Sequence, residues 1–278
     1  MLSPMFELKQ GDKGDDIARL QALLCLAGHD ARPIDGDFGS GTARCVRACQ
    51  AACGLTATGV ADSGLQAAVG MDVPDSTRTF HPVIAVITAE TVAAMFPAAT
   101  PRRNIERYLP AVLQALAAAG LDDRELVLMA LATIRAESEG FEPIDEGISR
   151  FNTDAGAAPF NRYDPSTALG RTLGNRQPGD GARFKGRGFI QLTGRTNYRT
   201  YGEEVGLGRR LEDEPALAND PEVAARLLAA FLRAKAPRVK YAVLGRDLKM
   251  ARRLVNGGSH GLAQFEETFQ KGERILGV

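Results

Sequence analysis

The chain has 278 residues, of which 44% are hydrophobic and 24% are charged, a composition typical of globular proteins with room for two domains. Its 34 basic and 34 acidic side chains give a formal net charge of zero, so we expect no general attraction to nucleic acid or to a membrane surface. The first residues lack the basic head and apolar run of an export signal, and the longest strongly apolar stretch, Leu126–Ile134, is too short to span a bilayer.

The first predicted domain, residues 1–70, contains a weak internal repeat. The run Gly11–Arg19 recurs as Gly36–Arg44, with Gly, Asp, Gly, Ala and Arg at matching positions. Each copy reads as a tight turn that leads into a helix with an acidic residue near its start. Repeated units of turn and helix predict a small helical bundle.

The stretch D-G-D-F-G-S-G-T at residues 35–42, followed by Gln50 and Gly54-Leu55, resembles the peptidoglycan-binding domain of type 1, a three-helix module that targets the bacterial cell wall. The resemblance covers most of Leu8–Gly70 and implies peptidoglycan as a partner. The wall-binding residues that it implies are Asp35, Gly36, Phe38, Gly39 and Thr42. A helical domain without this ligand is the alternative.

All four cysteines fall in this first domain. Cys45, Cys49 and Cys53 are spaced by four residues on one helix face, and Cys25 lies on the preceding helix. No His or Asp completes a usual zinc pattern, so we expect no metal and favour reduced thiols that pack as small apolar side chains. A disulfide between Cys25 and one of the other three, formed after release from the cell, stays open.

Residues 71–82 are rich in Pro, Ser and Thr and lack helical periodicity, so we interpret them as a linker to a second domain at residues 83–278. Thr88 is expected to cap a helix that ends at Met95. A helical hairpin that starts near Arg103 then leads towards an acidic segment.

Between residues 124 and 139 apolar side chains recur at helical spacing, and Glu137 is the next member of that stripe. A carboxyl group in partly apolar surroundings holds its proton more readily than one in water, as a general acid requires. Gly140 and Pro143 should end the helix, and Glu146 then follows on a loop that can fold back across a cleft. Two carboxyl groups with a water between them are the arrangement of an inverting glycosidase. A solvated acidic loop is the alternative.

The alternating residues Phe189–Thr193 predict a short strand that buries Ile190 and Leu192. Its other face presents the amide of Gln191 and the hydroxyl of Thr193, which are neutral hydrogen-bonding groups of the kind that hold sugars. Between the two motifs, residues 149–183 lack periodicity and are expected to form long loops around a cleft.

The motif G-R-G-F-I-Q-L-T-G-R-T-N-Y at residues 186–198, with A-E-S-E-G-F at residues 136–141, resembles the lysozyme-like glycoside hydrolase family 19 domains of phage endolysins, relatives of plant chitinases. The resemblance implies an α-rich, lysozyme-like domain with a small β-hairpin, in which Glu137 is the general acid and Glu146 the base that activates water. The substrate-binding residues that it implies are Gln191, Thr193, Asn197, Tyr198 and, through a late V-N-G-G segment, Asn256.

Three positions depart from the family pattern. Ala136 stands where the family has His, Glu139 where it has Gly, and Gln264-Phe265 where an Arg often follows the Asn-Gly-Gly segment. The chain also has no Trp, so another side chain must supply any apolar platform for a sugar ring. The candidates for that platform are Tyr163, Tyr198, Phe189 and Phe160.

Towards the carboxyl end, Asp220-Pro221 is expected to start a helix and residues 266–276 to form the last one. Nine Lys or Arg side chains against one acid lie within residues 226–253. Such a face suits an anionic cell wall or lipopolysaccharide, and a solvated helical surface is the alternative.

Taken together, the sequence predicts a mainly α protein, a modular endolysin that hydrolyses β-1,4 glycosidic bonds of peptidoglycan as a muramidase and so lyses the host cell. We expect no cofactor, a monomer, no membrane insertion and no nucleic-acid partner. The enzyme would be made in the host cytoplasm and reach the wall in the periplasm only after a separate holin has permeabilised the membrane. A chitinase, a lytic transglycosylase and a non-catalytic wall-binding protein are the alternatives.

Overall fold

The structure is a computed structural model that describes residues 6–73, 83–138, 140–258 and 261–277. In these ranges it is mainly α-helical with one two-stranded antiparallel sheet, which confirms the fold class expected from the sequence. The chain divides into two compact units, Met1–His81 with Lys235–His260 and Pro82–Ala234 with Gly261–Val278. No helix in the described ranges is long and apolar enough to cross a membrane.

The helices of the described residues are, in chain order, α1 (Asp15–Leu26), α2 (Ser40–Ala52), α3 (Ser63–Ala68), α4 (Ala89–Met95), α5 (Arg102–Ala118), α6 (Arg124–Glu137), α7 (Ala168–Thr172), α8 (Asp180–Arg183), α9 (Arg195–Glu204), α10 (Arg210–Asp213), α11 (Pro221–Arg233), α12 (Ala236–Leu244), α13 (Leu248–Asn256) and α14 (Leu262–Leu276). The strands are β1 (Ile144–Asp145) and β2 (Arg187–Gly188), and short 3-10 helices cover Ile84–Val86, Asn161–Tyr163 and Pro215–Asn219.

The two repeated turns of the first unit pair with each other. Gly11 N donates to Phe38 O at 3.0 Å, and Phe38 N donates to Asp12 O at 2.9 Å. Gly14 N donates to Gly36 O at 2.9 Å. Each turn therefore satisfies backbone polar groups of the other before the chain enters α1 or α2. The repeat in the sequence reflects this pairing.

Two late helices, α12 and α13, pack in the first unit, whereas the expected boundary places them in a domain of residues 83–278. α12 packs against α1, where Arg238 Nε donates to Asp15 Oδ1 at 2.8 Å. Asp247 Oδ2 accepts a hydrogen bond from Ile34 N, a residue 213 positions earlier. Contacts between such distant segments leave no local signature in a sequence. Of the expected linker, residues 74–82 lie outside the described residues.

The four cysteines are free thiols in this structure. Cys45 and Cys49 pack in the core of the first unit as small apolar side chains, whereas Cys53 is exposed and Cys25 is half-buried. Burial, assisted by the neighbouring Cys53, raises the pKa of the Cys49 thiol to about 11, so this thiol stays protonated near neutral pH. Among the described residues, no group of three or more His, Cys, Asp or Glu side chains is arranged to hold a metal ion.

The second unit is built around α6, whose residues Leu126–Ile134 are all buried. α14 and α11 cover this helix, so it is apolar on every side rather than along one stripe. Asp123 caps its first turn by accepting a hydrogen bond from Leu126 N at 3.0 Å. The helix ends at Glu137, and burial of the preceding turns fixes where that residue lies.

Other helices begin near the positions that the sequence predicts. Thr88 forms a capping box with Thr91 at the start of α4. The Asp220 carboxylate accepts hydrogen bonds from two backbone NH groups at the start of α11. The last helix, α14, begins at Leu262 and is therefore longer than expected.

The predicted strand Phe189–Thr193 is wrong, because these residues follow the strand and form a hairpin turn. Arg187 N donates to Leu192 O at 3.2 Å and Leu192 N donates to Arg187 O at 2.9 Å, which closes the turn. Gln191 takes a left-handed conformation with a φ of 49°. Phe189 and Leu192 are both buried. Alternation over only five residues does not distinguish this turn from a strand.

A buried ion-pair cluster attaches the long segment between β1 and β2 to α9 and α10. Arg195 pairs with both oxygens of Asp180, at 2.6 and 3.0 Å, and donates to Glu212 Oε1 at 2.8 Å. Asp180 Oδ2 also accepts from the backbone NH groups of Arg176 and Gln177, at 2.7 and 3.0 Å. Burial opposes ionisation of Asp180, but these donors outweigh it and lower the pKa of the carboxyl.

We predict that Gly36→Ala destabilises the first unit by about 2–3 kcal/mol. Gly36 has a φ of 76°, and a Cβ there would lie 2.7 Å from Gly14 O, so the substitution forces the paired turns apart. Gly28→Ala is the matched control: its φ is 89°, yet a Cβ would meet nothing within 4 Å, and we expect a loss of about 1 kcal/mol. Urea unfolding followed by circular dichroism measures both changes, and equal losses would contradict the steric explanation.

We predict that Asp180→Ala lowers the free energy of unfolding of the second unit by about 3 kcal/mol, because Arg195 keeps a buried charge with fewer partners. Since folding lowers the pKa of Asp180 below its ordinary 3.8, the stabilisation is present above that pH and is lost as the pH falls through the folded-state value. The difference from wild type should therefore shrink in acid. Glu106→Ala, in the exposed pair with Arg102, is the control and should cost about 0.5 kcal/mol or less at neutral pH.

Candidate functional site

The carboxyl end of α6 presents Glu137, which is half-buried. The following residue, Ser138, closes the helix by donating its NH to Ile134 O at 2.7 Å. The Ser138 hydroxyl donates to Glu142 O at 2.7 Å, which folds the chain back at once. From α5, Asn104 donates to Gly140 O at 2.8 Å and so anchors this loop. Glu139 itself lies outside the described residues.

Glu146 lies directly after β1, which pairs with β2 so that Ile144 is opposite Gly188. Glu146 N donates to Gly186 O at 2.8 Å and extends the pairing by one residue. Its carboxylate accepts three hydrogen bonds: Oε1 from Asn152 Nδ2 at 2.9 Å and from the Tyr163 hydroxyl at 2.8 Å, and Oε2 from Gly186 N at 3.1 Å. The second carboxylate is therefore held in one orientation by three neutral donors.

Two of these donors come from the loop between β1 and α7. Asn152 is completely buried, and its amide nitrogen also donates to Gly147 O at 2.8 Å. Burial, together with the hydrogen bond to Glu146, raises the pKa of the Tyr163 hydroxyl well above its usual range, so this group stays a donor at neutral pH. The sequence predicts no role for Asn152 and indicates Tyr163 only as an apolar platform. Polar residues scattered along a loop give no signal that they converge on one carboxylate.

Gly186 brings Gln191 next to Glu146. A Cβ on Gly186 would lie 2.9 Å from Gln191 Oε1 and 3.1 Å from Glu146 Oε2, so both oxygens face the same small volume. The Gln191 amide nitrogen donates to Ile144 O at 3.1 Å and to Gly188 O at 3.2 Å, which orients its oxygen. The structure thus places one predicted sugar-binding residue beside the second carboxylate.

Two further predicted residues continue from the hairpin turn. The Thr193 hydroxyl donates to Gln191 O at 2.8 Å, and this side chain is half-buried. Asn197 is exposed on the first turn of α9 and donates to Thr193 O at 2.7 Å. Gln191, Thr193 and Asn197 therefore form a chain of linked polar groups that begins near Glu146.

The structure does not place Tyr198 where a substrate can reach it. Tyr198 is fully buried, and its hydroxyl donates to Lys185 O at 2.8 Å and accepts from Arg187 Nη1 at 2.9 Å. Burial raises its pKa to about 12. We therefore correct its expected role from substrate binding to support of the hairpin. The motif predicts a tyrosine at this position, but it does not indicate whether the ring points to the substrate or into the core.

Asn256, the remaining predicted substrate-binding residue, ends α13 and belongs to the first unit. Glu137, Glu146 and the residues that hold them belong to the second unit. The late V-N-G-G segment resembles the family pattern. A motif this short does not indicate that α13, which ends at Asn256, packs in the first unit.

The predicted wall-binding residues mostly build the second repeated turn. The buried Gln21 accepts from Gly36 N at 3.0 Å and donates to Asp35 Oδ1 and Thr42 Oγ1, both at 3.1 Å. Phe38 is 2% exposed and Thr42 is 5% exposed, so neither offers a surface to a polymer. We correct the expected wall contacts for Gly36, Phe38 and Thr42, which are buried. Asp35, half-buried, and Gly39, exposed, are the two that reach the surface.

The aromatic residues considered as a platform for sugar are largely buried. Phe160, Phe189 and Tyr198 are at most 5% exposed. The exposed apolar side chains near the second carboxylate are instead Ile144 at 43%, Ile148 at 66% and Phe151 at 69%. In the sequence these three apolar residues stand out because the segment around them is mostly polar.

A charged cluster next to the site was not predicted. Asp145 pairs with Lys185 Nζ at 2.6 Å and with Arg187 Nε at 3.0 Å, and it accepts from Asn219 Nδ2 at 2.7 Å. Burial opposes ionisation of Asp145, but these three partners together lower its pKa. Asp145, the residue before Glu146, therefore pairs with both Lys185 and Arg187.

We predict that Tyr198→Phe lowers the free energy of unfolding by about 1–2 kcal/mol, because the carbonyl of Lys185 and the guanidinium of Arg187 lose a buried partner. Asn197→Ala, one residue earlier but exposed, should change stability by about 0.5 kcal/mol or less. Thermal unfolding measures both variants. A Tyr198→Phe variant as stable as wild type would contradict the structural role.

Comparison with known proteins gives one family match. Residues 13–69 match the family described as the putative peptidoglycan binding domain. No curated protein matches the chain. Among solved structures, chitinase C from Streptomyces griseus HUT6037 is 20% identical with a TM-score of 0.48, over 69% of this chain and 77% of that one. The Burkholderia AP3 phage endolysin is 19% identical with a TM-score of 0.32, over 97% of this chain and 100% of that one. By the family match at residues 13–69, the first unit contains a peptidoglycan-binding domain.

Proposed function

We propose that the protein is a peptidoglycan hydrolase whose second unit cleaves β-1,4 glycosidic bonds between the sugars of the glycan chain. In this proposal Glu137 is the general acid and Glu146 is the general base. Gln191, Thr193 and Asn197 hydrogen-bond the sugars beside them. The reaction needs a carboxylic acid, a carboxylate and water.

The observation that carries the proposal is the orientation of the Glu146 carboxylate by Asn152, Tyr163 and Gly186. A carboxylate that serves only to solvate a loop has no need of a buried amide and a half-buried phenol as donors. Glu137, three residues after the buried stretch Leu126–Ile134 of α6, supplies a second carboxyl group on a different element. Unlike surroundings for two carboxyl groups are what separates the acid from the base in glycosidases.

The proposed mechanism is a single displacement. Glu137 gives its proton to the glycosidic oxygen as the bond between that oxygen and the anomeric carbon breaks. Glu146 takes a proton from water as the water oxygen bonds to the same carbon from the opposite face. The product is therefore a reducing sugar of inverted configuration.

The peptidoglycan-binding domain at residues 13–69 favours peptidoglycan over chitin as the substrate. It would hold the enzyme on an insoluble polymer and so raise the local concentration of glycan around the second unit. Asp35 and Gly39 are the predicted wall contacts that this structure leaves accessible.

We further propose that the protein acts as a monomeric phage endolysin of the muramidase type. It would be made in the host cytoplasm and attack the wall in the periplasm once a separate holin has opened the membrane, which leads to lysis. These finer assignments rest on the motifs at residues 136–146 and 186–198.

We predict that Glu137→Gln and Glu146→Gln each lower the rate of peptidoglycan clearance by about 100-fold or more, because each removes one proton transfer. Turbidity of purified peptidoglycan measures the rate, with binding to the wall followed by sedimentation. Glu142→Gln is the matched control, since this acid lies in the same loop but bonds to Tyr108 and Asn104. It should keep most of the activity.

The released ends separate the alternatives. Reducing muramic acid supports a muramidase, reducing glucosamine a glucosaminidase, and an anhydro end a lytic transglycosylase. Clearance of chitin but not of peptidoglycan would indicate a chitinase. A wild-type protein that sediments with the wall without clearing it would overturn the hydrolase proposal and leave a binding protein.

A further inference from the structure

The two oxygens of the Glu146 carboxylate are not equivalent. Oε1 accepts two hydrogen bonds, from Asn152 and Tyr163, and a carboxylate oxygen offers about two lone-pair sites. Oε2 accepts one, from Gly186 N. In the described residues, the remaining capacity to accept a proton therefore lies on Oε2, on the side where Gln191 also points its amide oxygen.

Asn152 cannot rotate away from this arrangement without losing other buried contacts. Its side-chain oxygen accepts from Ser149 N and from the Thr153 hydroxyl, both at 2.9 Å. Its side-chain nitrogen also bonds to Gly147 O. Because a buried amide that loses a partner carries a desolvation cost, the donor to Glu146 is fixed in place.

Tyr163 is supported from a different part of the chain. Its backbone oxygen accepts from Asn175 Nδ2 at 2.7 Å, and Asn175 in turn accepts from Arg195 N at 2.9 Å at the start of α9. Its ring stacks on Phe160 with centroids 6.4 Å apart. Tyr163 therefore contacts Phe160 in its own loop and is connected through Asn175 to α9, the helix that follows the hairpin.

Both donors to Oε1 are neutral. A cation in the same place would stabilise the ionised carboxylate more strongly and so make it a weaker base. The nearby cations Lys185 and Arg187 bond instead to Asp145, at 2.6 and 3.0 Å. The arrangement thus orients the carboxylate through neutral donors.

We propose that Tyr163 and Asn152 are positioning residues that engage Oε1 of Glu146 and thereby direct proton transfer from water to Oε2. The inference rests on the proposed function, since it concerns the base of that reaction. Neither residue touches the reacting atoms. Each acts by fixing which oxygen of the base meets the water.

The test is Tyr163→Phe, which removes one hydroxyl and keeps the ring. We expect the maximal rate on peptidoglycan to fall roughly 10- to 100-fold while the half-saturating substrate concentration stays unchanged. We also expect the acid limb of the pH–rate profile to move to higher pH, because the ionised carboxylate loses a donor. The other ionisable groups on neighbouring elements, Asp145, Lys185 and Arg187, are untouched by the substitution.

Tyr201→Phe is the matched control, because Tyr201 is another half-buried tyrosine of the second unit and its ring packs against Phe231. It should leave rate and pH profile within about twofold of wild type. Asn152→Asp is the second variant, with almost the same shape but a charge in place of a donor. It should move the acid limb further than Tyr163→Phe does and carries the test if Tyr163→Phe fails to fold.

The outcomes separate this inference from the proposed function. If Glu146→Gln is inactive but Tyr163→Phe keeps the wild-type rate and pH profile, the positioning role is overturned and the base assignment stands. If Glu146→Gln is fully active, the proposed base is itself wrong. A Tyr163→Phe variant that raises only the half-saturating concentration would instead indicate a substrate contact and would also overturn the positioning role.

Discussion

The arrangement of the second unit depends on the burial of α6. Nine consecutive residues, Leu126–Ile134, are withdrawn from water in a helix that α14 and α11 cover, and this burial stabilises a helix with apolar side chains on every face. The helix continues for three residues beyond this buried stretch and ends at Glu137. Ser138 and Asn104 then turn the chain within three residues and direct it towards β1. Packing, rather than any property of the loop, sets the place of the first carboxyl group.

The second carboxyl group is placed by hydrogen bonds. Glu146 follows β1 and receives donors from the loop at Asn152 and Tyr163 and from the backbone at Gly186. A side chain at Gly186 would collide with this arrangement, so the glycine before β2 lets the backbone approach the carboxylate. The charged neighbours are engaged by Asp145, which keeps the surroundings of Glu146 neutral but polar. One carboxyl group thus ends an apolar helix and the other is held in a polar network.

Much of the fold follows from local patterns. Thr88 and Asp220 cap helices where the sequence predicts, and the repeated turns at Gly11 and Gly36 both exist. Helix caps and tight turns are formed by residues that are close together in the chain, so they can be predicted from the sequence. The five alternating residues Phe189–Thr193 fit both a strand and the hairpin turn that the structure contains after β2. Tyr198 was assigned to the substrate because a motif does not show whether an aromatic ring faces the cleft or the core.

The sequence alone determined the mainly helical class, the peptidoglycan-binding domain in the first unit, and the pair Glu137 and Glu146 as the candidate carboxyl groups. These rest on short-range periodicity and on spacing within motifs. Only the tertiary structure decided that residues 235–258 pack with the first unit and that Asn152 and Tyr163 meet on one oxygen of Glu146. The first depends on contacts between segments far apart in the chain, and the second depends on the loop after β1 folding back on Glu146; neither leaves a pattern in the local sequence.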